Sequence, residues 1–213
     1  MDFILSVAFA VIFSYFLGSL NSAITVVRVW KKVDIRDFGS KNAGLTNTLR
    51  VFGKGPALAT LLCDLAKGFV AVTLSRVAAS VIFDLSDTMV IAYIAGTFTM
   101  IGHIFPVYYG FKGGKGVLVA ATTLLAIDPL TFCIVIPFFA MILYITRYVS
   151  VSSILAAIAY PVSTFITQSL RGFSGRYIDT AFSAVIGLII IYMHRSNIQR
   201  LKNGTENRFS FKK

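Results

Sequence analysis

Residues 110–116, Gly-Phe-Lys-Gly-Gly-Lys-Gly, place two lysines among four glycines in a chain that is otherwise largely apolar. Glycine lets a backbone approach a ligand closely and lysine adds a compact positive charge, so the stretch is typical of a cradle for a phosphate. Its spacing excludes a Walker A loop, because Tyr109 and Gly116 stand where that loop needs a glycine and a hydroxyl residue. The alternative is a flexible connector. We predict that the anion is bound by Gly113, Gly114, Lys115 and Gly116.

A second group of hydrogen-bond donors lies in residues 36–50, RDFGSKNAGLTNTLR. Its glycines interrupt any helix, and its hydroxyl, amide and basic side chains are donors suited to anionic oxygens. The alternative is an ordinary polar loop in which Arg50 anchors the chain among lipid headgroups. The residues predicted to bind or react are Gly39, Ser40, Lys41, Asn42, Gly44, Asn47 and Arg50.

A third group is divided between residues 147–153, RYVSVSS, and residues 194–207, HRSNIQRLKNGTEN. The first part is predicted to begin a helix, where backbone N–H groups favour anions, although a serine there could simply cap the helix. In the second part His194 and Asn197 share a helical face. Glu206, the only glutamate, could organise the basic residues by pairing or could be solvated. The candidates are Arg147, Ser150, Ser152, Ser153, His194, Asn197 and Glu206.

Two further polar positions fall inside apolar segments. Asp64 and Lys67 are three residues apart and therefore share one helical face as a predicted ion pair. An ionisable group at membrane depth is a functional candidate, so Lys67 is predicted to bind substrate, and a pair that only locks helix packing is the alternative. His103, near the end of an apolar segment, is either a hydrogen-bonding residue or part of a substrate site.

Other catalytic constellations are missing from the sequence. Neither histidine is followed by the aspartate of a His-x4-Asp acyltransferase motif, and no Gly-x-Ser-x-Gly elbow occurs. Two histidines without nearby carboxylates make a metal site improbable, and we expect no cofactor. Cys63 and Cys133 lie in apolar segments, which argues against a disulfide.

The elements that must position these residues are apolar helices. The chain is 56% hydrophobic with a mean hydropathy of +0.79, and long runs such as 3–27 carry no charge. Such runs are typical of membrane-spanning helices. We predict an all-α integral membrane protein in one domain, 1–213, with seven helices, the fourth being short for a span. Their ranges are 3–27, 55–79, 88–109, 117–127, 130–147, 150–169 and 180–195.

The distribution of basic residues predicts the orientation of these helices. With seven crossings, sixteen of the twenty lysines and arginines fall on one side, and five of the nine acids fall on the other. The positive-inside rule places the basic side in the cytoplasm and the N-terminus outside. All three polar groups then lie at the cytoplasmic face. That face could bind anionic lipid or recruit anionic substrates.

The polar motifs, taken together, resemble one enzyme family. GSKNAGLTNTLR (39–50), DLAKG (64–68), GHIFPVYYGFKGGKG (102–116), RYVSVSS (147–153) and HRSNIQRLKNGTE (194–206) are similar in order and spacing to the bacterial acyl-phosphate-dependent glycerol-3-phosphate acyltransferases, the PlsY family. The resemblance covers nearly the whole chain. Departures are Ala43 and Leu45 in the first motif and Val117-Leu118-Val119 after the lysine loop, and none of them removes a charge.

This resemblance implies acyl transfer from acyl phosphate to the sn-1 hydroxyl of glycerol 3-phosphate at the inner membrane of a bacterium. Ser40 and Arg50 would then orient a substrate and stabilise the oxyanion, Lys115 would hold a phosphate, and Ser153 and Asn197 would complete the pocket. The general base would be His194 or the donor's own phosphate. The partners implied are the two substrates and membrane lipid, without nucleic acid, for a monomer. A transporter of phosphorylated metabolites and a lipid-binding scaffold are the alternatives.

Overall fold

The computed structural model describes residues 1–210 of the chain, and every regular element among them is helical. The chain forms two compact units, one spanning Met1–Ile127 and one beginning at Asp128. The first unit contains α1 (Asp2–Ser19), α2 (Ser22–Lys31), α3 (Leu45–Phe52), α4 (Lys54–Val81), α5 (Met89–Ile104) and α6 (Val117–Ile127). The second contains α7 (Pro129–Thr146), α8 (Val149–Leu170), α9 (Arg176–Met193) and α10 (Arg195–Lys202).

Six helical segments in the described chain are long and apolar enough to cross a membrane: Asp2–Lys31, Lys54–Val81, Met89–Tyr109, Pro129–Thr146, Val149–Leu170 and Arg176–Met193. The predicted fourth segment is helical with the expected bounds, but α6 has only 11 residues. A helix of that length rises about 16 Å, roughly half of the hydrocarbon thickness. Six spans are therefore supported by length and composition, and the seventh crossing stays a prediction.

The first apolar run is not one helix over 3–27 as predicted. It breaks at Leu20 and Asn21, and the Asn21 side chain caps α2 by accepting a hydrogen bond from the backbone N–H of Ile24 at 3.1 Å. The segment predicted as a continuous loop, 28–54, also contains the short helix α3, which is separated from α4 by Gly53 at φ +80°. Hydropathy did not reveal the break at Leu20 and Asn21, because the residues on both sides of it are mostly apolar.

In the first unit α1 packs closely on α5. A Cβ added at Gly102 would overlap the carbonyl oxygen of Tyr15, and one added at Gly18 would overlap that of Thr99. Small residues at such crossings let two helix backbones touch, which is how helices associate where lipid removes the hydrophobic driving force. The contact holds the C-terminal end of α5 against the break between α1 and α2.

In the second unit α8 packs against both α7 and α9. A Cβ added at Gly187 in α9 would overlap the carbonyl oxygen of Ala157 in α8. At the start of α7, Asp128 accepts hydrogen bonds from Thr131 and forms a 2.6 Å ion pair with Arg171. These contacts fix the helices whose opposite ends carry the polar residues of this unit.

Candidate active site

The glycine–lysine loop, residues 110–116, is built onto the end of α5. The helix ends at Ile104 with Phe105 as its C-cap, five residues before the predicted end at 109, and Pro106 follows. The loop then folds back, because the Gly113 amide donates to the carbonyl of Ile104 at 3.0 Å and the Gly114 amide donates to that of His103 at 3.2 Å. Gly116 takes φ +79° directly before α6 begins.

This geometry corrects one detail of the sequence prediction. The backbone from Gly113 to Gly116 was expected to hold a phosphate, but the Gly113 and Gly114 amides are already used inside the loop. The Gly116 amide donates to no backbone carbonyl in residues 1–210. It lies next to the first N–H groups of α6, which have no partner within the helix. The end of the loop at Lys115 and Gly116 is therefore the part suited to bind an anion.

Arg36 ties the glycine–lysine loop to the chain that follows α2. Its guanidinium donates to the carbonyls of Tyr109 at 2.7 Å and Lys112 at 3.1 Å, and it forms a forked ion pair with Asp34. Arg28 reaches the same carboxylate at 2.7 Å. The hydrogen bond from Arg36 is the main cause that lowers the pKa of Asp34, so that carboxyl stays ionised.

The first polar loop, residues 38–44, is pinned from below by Asn47 of α3. The Asn47 amide accepts a hydrogen bond from the Ser40 N–H at 2.9 Å and donates to the carbonyl of Phe38 at 3.0 Å. Asn47 is buried, while Ser40 and Arg50 are exposed. Asn47 therefore fixes the conformation of this loop, and the exposed side chains of Ser40 and Arg50 are accessible to a ligand.

The other candidates of the first polar loop lie where the backbone of this loop turns. Gly39 and Lys41 both have φ +58°, in the left-handed region, and Gly44 precedes the first residue of α3. A Cβ at Gly39 would overlap the Asn47 amide oxygen. Lys41 is exposed and Asn42 is half-buried. Glycine is therefore needed at 39, and the side chains at 41 and 42 are accessible.

Asp64, Lys67 and His103 form one buried polar network in the first unit. The predicted ion pair is present, with Lys67 Nζ 2.8 Å from an Asp64 carboxylate oxygen. Ser22 donates to the same oxygen at 2.7 Å, and Nδ1 of His103 lies 3.0 Å from Lys67 Nζ. All four side chains are buried. Lys67 was predicted to bind substrate, but its ammonium is surrounded by protein acceptors, which fits a supporting role beneath the loops.

Asn21 joins the two loops of the first unit. Its amide nitrogen lies 3.4 Å from both the carbonyl of Ala43, in the first polar loop, and that of His103, at the base of the glycine–lysine loop. The loops also approach each other directly, because a Cβ added at Gly114 would lie 2.6 Å from the Ala43 oxygen. The structure therefore brings together two of the three predicted polar groups.

In the second unit Glu206 is the centre of the polar group. One carboxylate oxygen accepts hydrogen bonds from Ser150 at 2.8 Å and Asn197 at 2.6 Å, and the other pairs with Arg200 at 2.7 Å. Burial opposes ionisation of this carboxyl, but the bonds from Asn197, Ser150 and Arg200 outweigh it and lower the Glu206 pKa. Of the two readings of the sequence, pairing is confirmed and solvation is wrong.

The serines at the start of α8 do not cap it. Tyr148 is the N-cap, and the hydroxyls of Ser152 and Ser153 donate to carbonyls one turn back, at 2.9 and 2.8 Å. The capping alternative is therefore wrong. Arg147 has φ +62° and ends α7. Nδ1 of His194 lies 2.7 Å from the carbonyl oxygen of Ile190, so it carries the proton and Nε2 of the neutral ring is the basic nitrogen.

Sequence reasoning missed three residues that hold the site of the first unit together: Asn21, Asp34 and Arg36. Asn21 was hidden in an apolar run, although an asparagine two residues after Gly18-Ser19 is a signal for a helix break and cap. Asp34 and Arg36 pair locally, two residues apart, but the carbonyls that Arg36 also binds are more than 70 residues away. No local pattern predicts a bond of that range.

The arrangement in the first unit suits binding and orientation of anionic groups. Exposed Ser40 stands on the first polar loop, exposed Arg50 stands in the last turn of α3, and a lysine precedes a helix N-terminus on the glycine–lysine loop. Charge-assisted donors of this kind hold phosphates and stabilise an oxyanion as it develops. Among the described residues, no histidine, cysteine or acid forms a group of three that could bind a metal ion.

Comparison with known proteins agrees with this chemistry. The family model described as glycerol-3-phosphate acyltransferase matches residues 8–204. A glycerol-3-phosphate acyltransferase of Chlorobaculum tepidum is 39% identical, over 94% of this chain and 95% of the relative. One of Fusobacterium nucleatum is 36% identical, over 94% of this chain and 97% of the relative.

Two solved structures are similar over nearly the whole chain. One is the glycerol 3-phosphate form of PlsY (YgiH), an integral membrane glycerol 3-phosphate acyltransferase, with a TM-score of 0.80 and 35% identity over 96% of each chain. The other is the lysophosphatidic acid form, with a TM-score of 0.78 and 33% identity over the same share.

Proposed function

The chain belongs to the glycerol-3-phosphate acyltransferase family of integral membrane proteins, and we propose that it transfers a fatty acyl group from acyl phosphate to the sn-1 hydroxyl of glycerol 3-phosphate. The products are 1-acyl-glycerol 3-phosphate and inorganic phosphate. The observation that carries the proposal is the pair of joined loops in the first unit, which present Ser40 and the helix start at Lys115 and Gly116, with exposed Arg50 on the adjoining helix α3. The two solved relatives, a glycerol 3-phosphate form and a lysophosphatidic acid form, support the same substrate.

Acyl phosphate explains why a covalent nucleophile is unnecessary. It is a mixed anhydride, so its carbonyl carbon already carries a good leaving group. The acceptor hydroxyl oxygen bonds to that carbon, a tetrahedral oxyanion forms, and the bond to the phosphate oxygen breaks. The hydroxyl proton passes to the departing phosphate. Holding two anionic molecules in this orientation supplies a large part of the acceleration.

We assign the two loops of the first unit different parts of this task. Ser40 and Arg50 orient the reacting groups and stabilise the oxyanion, because both are exposed donors, Ser40 on the loop that Asn47 immobilises and Arg50 in the last turn of α3. Lys115, Gly116 and the start of α6 hold a phosphate. Lys67, together with Asp64, supports the loops from beneath. Gly113 and Gly114 shape the glycine–lysine loop, and Gly39 shapes the first polar loop.

In the second unit we propose that Asn197 and Ser153 contribute polar contacts to substrate and that Glu206 keeps Asn197 in place. The 2.6 Å hydrogen bond from the Asn197 amide to Glu206 fixes the side-chain orientation. His194 is a second candidate for the proton acceptor, since its Nδ1 is engaged by the Ile190 carbonyl and Nε2 of the neutral ring is basic. We favour the donor's own phosphate in that role.

For the whole protein we propose one catalytic domain that acts as a monomer in the inner membrane of a bacterium. Its N-terminus is outside and its polar loops face the cytoplasm, as the excess of lysine and arginine on that side indicates. The acyl chain then stays in the bilayer, while both phosphates remain at the aqueous face.

Purified protein in detergent tests this function. With acyl phosphate and glycerol 3-phosphate, and without ATP, acyl-CoA or vesicles, we expect 1-acyl-glycerol 3-phosphate and phosphate to appear in equal amounts. Arg50→Met should lower kcat, because the oxyanion loses a charged donor. Comparable turnover with acyl-CoA would show that the donor is wrong. No product in detergent, together with uptake of a phosphorylated metabolite by protein-containing vesicles, would favour a transporter.

A further inference from the structure

His103 presents its two ring nitrogens to different surroundings. The side chain lies in the last turn of α5 and the residue is 4% exposed. Nδ1 faces the buried ion pair, 3.0 Å from Lys67 Nζ. Nε2 faces the glycine–lysine loop, at the place where a Cβ on Gly114 would overlap it. The histidine therefore connects the charged network inside the first unit to the loop proposed to bind phosphate.

The acceptors around Lys67 determine the tautomer of this histidine. Besides Nδ1, Lys67 Nζ contacts the Asp64 carboxylate at 2.8 Å and the carbonyl oxygens of Leu20 at 3.1 Å and Gly18 at 3.4 Å. Carboxylates and carbonyls accept hydrogen bonds and never donate them, so the amine must be the donor, as an ammonium group is. The three N–H groups of the ammonium go to its three closest neighbours, the Asp64 carboxylate, Nδ1 of His103 and the Leu20 carbonyl, so Nδ1 accepts from Lys67 and carries no proton. The Asp64 oxygen lies 3.7 Å from Nδ1, beyond hydrogen-bond distance.

Nε2 of His103 therefore carries the proton. This N–H makes no hydrogen bond in the part of the chain that the structure describes. Because Nε2 faces the glycine–lysine loop and the residue is otherwise enclosed, this N–H is placed to donate to a ligand at the loop.

We propose that His103, held as its Nε2–H tautomer by Lys67, donates this N–H to a phosphate oxygen of the anionic substrate bound at Gly114–Gly116. The inference rests on the proposed function. It adds to the proposed phosphate site a hydrogen-bond donor from α5, outside the glycine–lysine loop. The Gly113 and Gly114 amides are occupied, so a side-chain donor would replace them. It also explains the glycine at 114, because any side chain there would displace the imidazole.

The chain contains only two histidines, which makes a spectroscopic test direct. With ¹⁵N-labelled histidine, the signals that disappear in His103→Gln belong to His103. We expect them to show a neutral ring protonated on Nε2. Saturating glycerol 3-phosphate, and separately inorganic phosphate, should shift the Nε2 signal far more than the Nδ1 signal. A ring protonated on Nδ1 or on both nitrogens would overturn the proposal, as would an unshifted Nε2 signal in protein saturated with glycerol 3-phosphate.

Replacing His103 by glutamine or by asparagine distinguishes the roles of Nε2 and Nδ1 through the effect on KM. The glutamine side chain can place its N–H₂ near the position of Nε2, whereas the asparagine side chain can place its oxygen near Nδ1, where it accepts from Lys67. We expect KM for the substrate whose phosphate is bound at the loop to be about tenfold higher in His103→Asn than in His103→Gln. The opposite order, or equal values, would mean that His103 only supports Lys67 and fills space.

Failure of this proposal can be distinguished from failure of the proposed function. The wild-type protein is assayed with acyl phosphate and glycerol 3-phosphate, and glycerol 3-phosphate binding is followed by the shift in melting temperature. An active protein whose melting temperature rises with glycerol 3-phosphate but whose His103 signals do not move would refute only the role of His103. A protein without activity or binding would refute the function itself.

Discussion

Lys115 stands one residue before Gly116 and two before α6, where its charge adds to that of the helix N-terminus. We predict that Lys115→Met raises KM for glycerol 3-phosphate about tenfold to a hundredfold, because a charge-assisted contact is lost from both ground and transition states. kcat should change less. Steady-state kinetics measure both.

Lys112→Met is the matched control, since Lys112 is an exposed lysine of the same loop that contacts Arg36 only through its carbonyl. It should keep KM close to the wild-type value. Equal effects of the two substitutions would show that only the net charge of the loop matters. An unchanged KM in folded Lys115→Met protein would contradict a phosphate site at this lysine.

Glu206 makes a pH-dependent contribution to stability. Its folded pKa lies below the ordinary value of 4.5, so the stabilisation is complete above that value and is lost as pH falls through the folded pKa. Glu206→Gln should lower the free energy of unfolding at pH 7 by about 1.5–3 kcal/mol, and the gap to wild type should narrow towards pH 4. Thermal unfolding in detergent at both pH values measures this.

Asp84→Asn serves as the comparison for Glu206→Gln, because Asp84 is exposed and asparagine tolerates its positive φ of 51°. It should shift the melting temperature little at either pH. A gap between Glu206→Gln and wild type that is constant across this pH range would mean that the carboxylate charge does not stabilise the fold.

At the scale of elements, Arg36 joins the turn after α2 to the glycine–lysine loop. Arg36→Lys keeps the charge but loses the fork that reaches Asp34 and two carbonyls at once. We expect KM for glycerol 3-phosphate to rise several-fold, roughly the loss of one or two hydrogen bonds. Arg28→Lys, which contacts Asp34 from an exposed position, should have little effect. If Arg36→Lys matches wild type, the loop does not depend on this clamp.

The contact between α8 and α9 depends on the missing side chain at Gly187. A methyl group there would overlap the Ala157 carbonyl, so Gly187→Ala should separate the helices and destabilise the fold by about 1–3 kcal/mol. Leu188→Ala, on the adjacent and 65% exposed position, should change the melting temperature much less. A Gly187→Ala protein as stable as wild type would show that α8 and α9 can accommodate a methyl group at this contact.

At the scale of the whole molecule, the polar loops should all face the cytoplasm. In a background with Cys63→Ser and Cys133→Ser, we place single cysteines at exposed Ser40 and Ser196, the latter beside Asn197. Both should resist an impermeant thiol reagent in intact cells and react after permeabilisation. Ser86→Cys, on the sparsely charged side, should react from outside. Labelling of Ser40→Cys or Ser196→Cys in intact cells would overturn the orientation.

The sequence by itself determined the class of the protein and the residues of its polar loops. Long uncharged runs can be stable only as helices in lipid, and this follows from composition without any tertiary contact. Glycine and lysine at 110–116 indicate an anion site because their chemistry is local. The Asp64–Lys67 pair was predictable for the same reason, since residues three apart in one helix must be neighbours.

The tertiary structure alone decided which polar side chains contact each other and which backbone amides are already hydrogen-bonded within the protein. His103 reaches Lys67 across 36 residues, and Glu206 reaches Ser150 across 56, through helix packing that no periodicity encodes. The Gly113 and Gly114 amides looked available in the sequence, but they bond back to the end of α5. Helical spacing gives the neighbours of a residue on its own element. Contacts between elements depend on how side chains and glycines let the helices approach, and this is a property of the folded chain.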